Sequence, residues 1–224
     1  MKQIGLAMMS YQTDYEGLYP GSQISVGSST ISWPTLLYPY VKNEGVFVCP
    51  SGEPTPTTRD LSGGMTGDYC GITDTIYGQS SPFGPQHGDG SSMPLGSVNR
   101  LSYTRNLIPT NAWSTAGFTG GNKSGFVTTG TTLSVHEAQV EDPAGTIHVA
   151  DGWAKPAGGT TTCNLGNSLR GIQAENRTDH YNNSTASKIA YRHNDGFLAL
   201  FGDGHAKWLR WGSTKAKDWS IQAD

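Results

Sequence analysis

Five side chains in the second half of the chain have the chemistry for proton transfer or metal binding: His148, Asp151, His193, Asp203 and His205. Imidazole and carboxylate are the groups from which general bases, general acids and ligands are built, and serine hydroxyls are abundant around them. The motifs that would commit such groups to a reaction do not occur: there is no Gly-x-Ser-x-Gly elbow, no His-Glu-x-x-His helix and no Cys-x-x-Cys pair. A hydrolase is therefore the least favoured class, and the expectation is that the chain is not an enzyme. His193 is expected to anchor a hairpin by hydrogen bonding, and the Asp203 carboxylate to support the Asp203-Gly204 turn. The metal that these turns could hold is calcium, a hard cation that Asp151, Asp195 and Asp203 would take together with backbone carbonyls, although no dense Asp-x-Asp-x-Asp loop is present.

Those residues need elements to position them. Arg192-His193-Asn194-Asp195-Gly196 is a polar turn, Phe197 to Phe201 an apolar run, Asp203-Gly204 a second turn, and Ala206-Lys207-Trp208-Leu209 a second run. This pattern predicts two short strands folded into a hairpin. Upstream, Val140 to Asp151 gives a Pro143 turn and a strand that ends at Asp151-Gly152. At the N-terminus, Ile4, Met8, Tyr11, Tyr15 and Leu18 are spaced four, three, four and three, which predicts a helix over 1–19 stopped by Gly17 and Pro20. Met1-Lys2-Gln3 offers neither a capping side chain nor an acidic first turn, so the chain is expected to begin inside a longer helix. Ser32 to Val41 reads as a second, capped helix that Pro39 ends or kinks, and Val46-Phe47-Val48 as a brief strand.

Residues 51–135 hold few periodic apolar segments and many Gly, Ser, Thr and Pro, with islands such as Leu101-Ser102-Tyr103, and are expected to be an ordered, loop-rich insertion on one sheet edge. The organisation that follows is one α+β domain over 1–224: an N-terminal helix on a small antiparallel sheet, core strands and terminal hairpin over 140–211, and the insertion between them. The composition fits a turn-stabilised surface: 30 Gly, 12 Pro and 15% charged residues in 224. A net charge of -3 supplies no basic field, which excludes nucleic acid and anionic lipid as partners. No apolar run reaches the roughly 18 residues of a membrane helix. Cys49 and Cys70 are flanked by turn residues and read as a disulfide, worth roughly 3 kcal/mol in the loop-entropy model, the alternative being reduced buried thiols. Sequons at Asn122, Asn176, Asn182 and Asn183 lie in polar, turn-rich sequence suited to glycan attachment, the alternative being that a Ser/Thr/Asn-rich chain produces such triplets by chance. Trp208 is expected in the core, and Trp211 and Trp219 at an interface.

Four segments, in order, carry a likeness to a known group. They are Met1 to Met8 with Tyr11, Asp14-Tyr15 and Tyr19-Pro20; Trp33-x-x-Leu36-Leu37-x-Pro39-Tyr40 followed by Phe47-x-Cys49-Pro50-Ser51; Val140 to Asp151; and His193, nine residues, Asp203-Gly204. The chain resembles bacterial pseudopilin-like proteins with a prepilin-type N-terminal signal, relatives of the major pseudopilin of type II secretion. The resemblance implies a structural subunit of an extracellular or cell-surface filament, facing the periplasm before assembly and partnered by copies of itself or by other pilin-like subunits. It also implies an apolar helix half upstream of Met1, absent from this chain and the sole route to a membrane, with Ile4, Met8, Tyr11, Tyr15 and Leu18 as the assembly face. The calcium site known in a C-terminal loop of the major pseudopilins adds weight to Asp151, Asp195 and Asp203. The alternative class is a soluble secreted binding module that stacks glycans on exposed Trp and Tyr.

Overall fold

The computed structural model describes residues 1–21, 23–26, 29–51, 59–60, 64–65, 70–71, 100–106, 124–126, 134–151, 168–169, 189 and 193–222. Helix α1 spans Lys2–Asp14 and buries Ile4, Gly5, Ala7, Met8, Tyr11 and Gln12, the stripe that the 3.6-residue period predicts. It stops five residues short of the expected end. Glu16 and Gly17 adopt positive φ (52° and 82°), and the Gly17 N–H closes the last turn on the Gln12 carbonyl at 2.8 Å. Tyr15 therefore leaves the stripe: it is 49% exposed and stacks on Tyr11 at 4.1 Å, while Leu18 pairs in a single β-bridge with His136.

Two short strands, β1 (Gln23–Val26) and β2 (Ser29–Ser32), form a hairpin that leads straight into α2 (Trp33–Val41), so Ser32 closes a strand before the helix. Pro39 lies inside α2 without ending it, because the helix continues to Val41 and the Lys42 N–H bonds to the Tyr38 carbonyl at 2.7 Å. The expected strand at Val46-Phe47 is instead a 3₁₀ turn over Glu44–Phe47. The Asn43 side chain caps it by accepting from the Gly45 N–H at 2.9 Å.

Within the insertion, β3 (Arg59–Asp60) pairs with β4 (Gly64–Met65), and β5 (Cys70–Gly71) pairs with β6 (Arg100–Leu101). The insertion does more than decorate an edge. Its β7 (Tyr103–Asn106) is buried along its whole length and is a strand of the main sheet, paired with β8 (Ile147–Asp151) on one side and with β9 (Ser168–Leu169) on the other. With β10 (Gly196–Phe201) and β11 (Ala206–Arg210) the order is β11-β10-β8-β7-β9, antiparallel except for the β7–β9 pair. Helices on a largely antiparallel sheet make this an α+β fold.

The central strands β7, β8 and β10 are buried on both faces. Leu200, Val149 and Tyr103 face α1 and α2 in a core with Ile4, Met8, Tyr11, Trp33, Leu37 and Phe47. Phe197, Ala199, Phe201, Ile147 and Ala150 face the other way, against Trp211, Trp219 and Ile189. Trp211 and Trp219 are thus core residues, and Trp208 is the one that stands out, 45% exposed on β11. The reversal follows from register: Trp208 lies opposite Leu198 near the open edge, whereas the chain after β11 turns back so that Trp211 and Trp219 close the second face.

The α1 stripe also differs from expectation in what covers it. Ile4 and Met8, near Met1, are sealed by this chain's own sheet and second helix, and the end toward Leu18 is the one that opens to solvent at Tyr15. Each such large side chain contributes about 1.5–3 kcal/mol on burial.

Candidate functional site

Two of the five chemically able side chains, Asp151 and His193, meet Cys49 where β8 and β10 approach the segment after the 3₁₀ turn. Asp151 is the last residue of β8 and is fully buried; its Oδ2 accepts the Leu198 N–H at 2.7 Å, which fixes the carboxylate against β10. His193 opens the tight turn before β10, where its N–H and carbonyl both bond to Gly196 at 3.1 Å and its carbonyl also accepts the Trp208 indole N–H at 2.7 Å. Cys49 follows the 3₁₀ turn and is held by its N–H donating to the Ser102 hydroxyl at 2.9 Å. From these positions His193 Nε2 lies 3.3 Å from Asp151 Oδ2 and 3.4 Å from Cys49 Sγ. The imidazole is partly exposed, with the carboxylate and the sulfur behind it.

This geometry does not make a thiol nucleophile with a relay. A relay uses both ring nitrogens, one toward the nucleophile and one toward the orienting carboxylate. Here sulfur and carboxylate converge on the same nitrogen. Among the described residues, Cys49, Asp151 and His193 form the group of His, Cys and acidic side chains close enough to share one ion, their ligand atoms lying within 4.8 Å of one another.

The remaining candidates are elsewhere. Asp203 sits in the β10–β11 turn, where Oδ1 accepts the His205 N–H at 3.0 Å and faces His205 Nδ1 at 2.6 Å, while Gly204 takes φ +86°. This pair is exposed, and the His205 ring lies flat on Phe201 with centroids 4.3 Å apart. Asp195 is in the turn at the opposite end of β10, exposed, with its carbonyl accepting the Trp211 N–H at 2.9 Å. Asp151, bonded at Leu198, and Asp203 are separated along β10 by five residues, roughly 16 Å of strand. The three carboxylates expected to hold calcium are therefore spread along the hairpin and not gathered at one point. The expected Cys49–Cys70 bridge falls on a Cys70 side chain outside the described residues, as do Cys163 and the four sequons.

His148 belongs to the core. The register of β8 shifts there, with Val149 opposite Leu200 and Ile147 opposite Phe201, so His148 is the extra residue. Its ring stacks on Phe126 at 4.0 Å and meets Tyr19 edge-on at 4.9 Å, and Nε2 accepts from Arg105 Nε at 3.0 Å. Arg105 is itself buried on β7 and donates through a second nitrogen to the Pro20 carbonyl. Desolvation pulls the guanidinium down to about 9 despite the hydroxyls of Tyr11 and Tyr19. Burial, and then the Arg105 charge, hold His148 well below the ordinary histidine value, so it is a neutral acceptor. Arg105 carries no sequence signal of its own: it lies in a Ser/Thr/Asn-rich stretch without periodicity. Comparison with protein-family models, with curated proteins and with solved structures found no match.

Proposed function

We propose that this chain is a structural subunit of a pilin-like or pseudopilin-like filament, acting by packing and not by catalysis, outside the cell or on its surface, with copies of itself or other pilin-like subunits as partners. The observation that carries this reading is that α1 is apolar on two sides. One side, Ile4, Ala7, Met8 and Tyr11, is spent on the chain's own sheet. The other presents Leu6 at 69% and Met9 at 40% exposure, one turn apart, with Met9 partly covered by the β10–β11 turn at Gly204. A neighbouring subunit that covered this pair would bury the largest apolar area that α1 leaves in water. The assembly face is accordingly Leu6 and Met9; Ile4, Met8 and Tyr11 hold the helix to the sheet.

The sequence resemblance to pseudopilins supports the same reading, since it places the N-terminal helix at subunit contacts. The test is Leu6→Glu. Filaments sheared from producing cells disappear, while the melting temperature of the purified chain stays where it was, because Leu6 touches no core. Normal filament yield from that variant overturns the proposal.

One observation favours the glycan-binding alternative. The exposed Trp208 ring lies against Gly196 and is fixed by its N–H bond to the His193 carbonyl, a held aromatic surface of the kind that stacks on sugars. Quenching or shifting of tryptophan fluorescence by an oligosaccharide, abolished by Trp208→Ala, would establish it.

A further inference from the structure

We propose that Cys49, Asp151 and His193 form a binding site for one divalent transition-metal ion of the zinc class, which ties the terminal hairpin to the segment leading out of α2. The inference is independent of the filament reading and rests on the geometry of three atoms.

Zinc bonds of about 2.3 Å to sulfur and about 2.05 Å to nitrogen and oxygen, at tetrahedral angles, put a sulfur ligand about 3.6 Å from a nitrogen ligand and a nitrogen about 3.3 Å from an oxygen. The distances here are 3.4 Å for Cys49 Sγ to His193 Nε2 and 3.3 Å for His193 Nε2 to Asp151 Oδ2. Two of the three separations thus match edges of a coordination tetrahedron, and the third, sulfur to carboxylate, lies within 4.8 Å. As hydrogen bonds they put two partners on one ring nitrogen, whose single lone pair or N–H points at only one of them at a time. An ion at the centre of the three serves all of them at once.

The charges also close. A thiolate and a carboxylate, both buried, match the charge of a dication held with a neutral imidazole, with the Met1 ammonium as the further charge that acts on both anions. Sulfur and imidazole nitrogen select a borderline-soft transition ion over calcium or magnesium. Each ligand residue is fixed before any ion arrives: the Asp151 carboxylate by the Leu198 N–H, the Cys49 main chain by its N–H bond to the Ser102 hydroxyl, and the His193 main chain by Gly196 and the Trp208 indole N–H. A hydrogen bond to the ligating group itself, as on the Asp151 carboxylate, orients that group for an ion. With three protein ligands, the fourth position falls to water or to a donor supplied by another molecule, on the exposed side of the imidazole.

The experiment is a titration of the purified full chain, chelator-stripped and reduced, first with Zn²⁺ and then with Co²⁺ as a spectroscopic substitute. One zinc ion per chain survives gel filtration, raises the melting temperature and is not displaced by millimolar Ca²⁺. Co²⁺ gives a thiolate-to-metal charge-transfer band. That band is lost in Cys49→Ser and His193→Ala, and is kept in Cys163→Ser and Asp203→Asn. Because the Cys49 variant could fail to fold, the zinc K-edge absorption spectrum of the unaltered protein is the second measurement, with one sulfur and otherwise nitrogen and oxygen neighbours. A spectrum without sulfur, a band that survives Cys49→Ser, or a Cys49–Cys70 disulfide peptide in the non-reduced digest of protein from its own compartment overturns the proposal.

Discussion

Gly5 on α1 lies against the carbonyl oxygen of Gly204 in the β10–β11 turn so closely that a Cβ at Gly5 would overlap it and press on the Leu200 side chain. The two ends of the chain are thus joined through two glycines. Gly204 is needed there for its positive φ and because Met9 already touches it, and Gly5 because only a bare backbone lets the helix reach the turn.

The first prediction follows from that contact. On an exposed helix, replacing Gly by Ala stabilises by about 1 kcal/mol. At this position Gly5→Ala destabilises instead, by about 1–3 kcal/mol of overpacking, since the obstruction is backbone and cannot swing aside. Thermal melts of Gly5→Ala beside Ser10→Ala, which lies on the exposed side of the same helix, give opposite signs.

A second prediction concerns pH. His148 has a folded-state value below its unfolded value of 6.5, so below pH 6.5 the unfolded chain binds a proton that the native chain does not. Its contribution is fully favourable above pH 6.5 and is lost progressively as pH falls toward the folded-state value, by up to about 1.4 kcal/mol per pH unit. His148→Gln keeps an acceptor for Arg105 and removes the titration. Denaturant midpoints between pH 6.5 and 5 fall more shallowly for this variant than for the parent.

Third, Trp208 is expected to matter for the turn and not for the core. Trp208→Phe keeps a ring over Gly196 and loses the bond to the His193 carbonyl, at a cost of about 0.5–1.5 kcal/mol. Amide exchange at Gly196 accelerates in the variant, while exchange at Val149 and Leu200 does not change.

Much of the frame is readable in the sequence because it is written in local periods. Ile4, Met8 and Tyr11 repeat at helical spacing, and Phe197 to Phe201 is a continuous apolar run bounded by two Asp- and Gly-bearing turns. Tyr103–Asn106 is a different case. Its strand is built from Tyr, Thr, Arg and Asn, and it is buried through long-range partners: Arg105 with His148, and Asn106 Nδ2 with the carbonyls of Ile147 and Trp219 at 2.8 and 2.7 Å. No periodicity announces a strand whose buried groups are polar. Pairing that depends on chain reversal is equally hidden, which is why Trp208 and Trp211 exchange the roles their spacing suggests. In the candidate site, Asp151 and His193 each stand out as a strand end and a turn start, and Cys49 as a residue beside a turn. Their meeting depends on the β8–β10 register and on a sequence separation of 144 between Cys49 and His193, so no local signal places them together.

The central proposal is that the outward side of α1 is covered by another copy of the chain or by another pilin-like subunit, and photo-crosslinking in the producing cell reads this directly. With a benzophenone side chain at Leu6, irradiation yields a ladder of dimers and higher multimers whose peptides all map to this chain or to other pilin-like subunits. The same group at Lys207, exposed on β11, serves as the comparison site. Monomer alone at Leu6, or adducts only to an unrelated protein, would contradict the account.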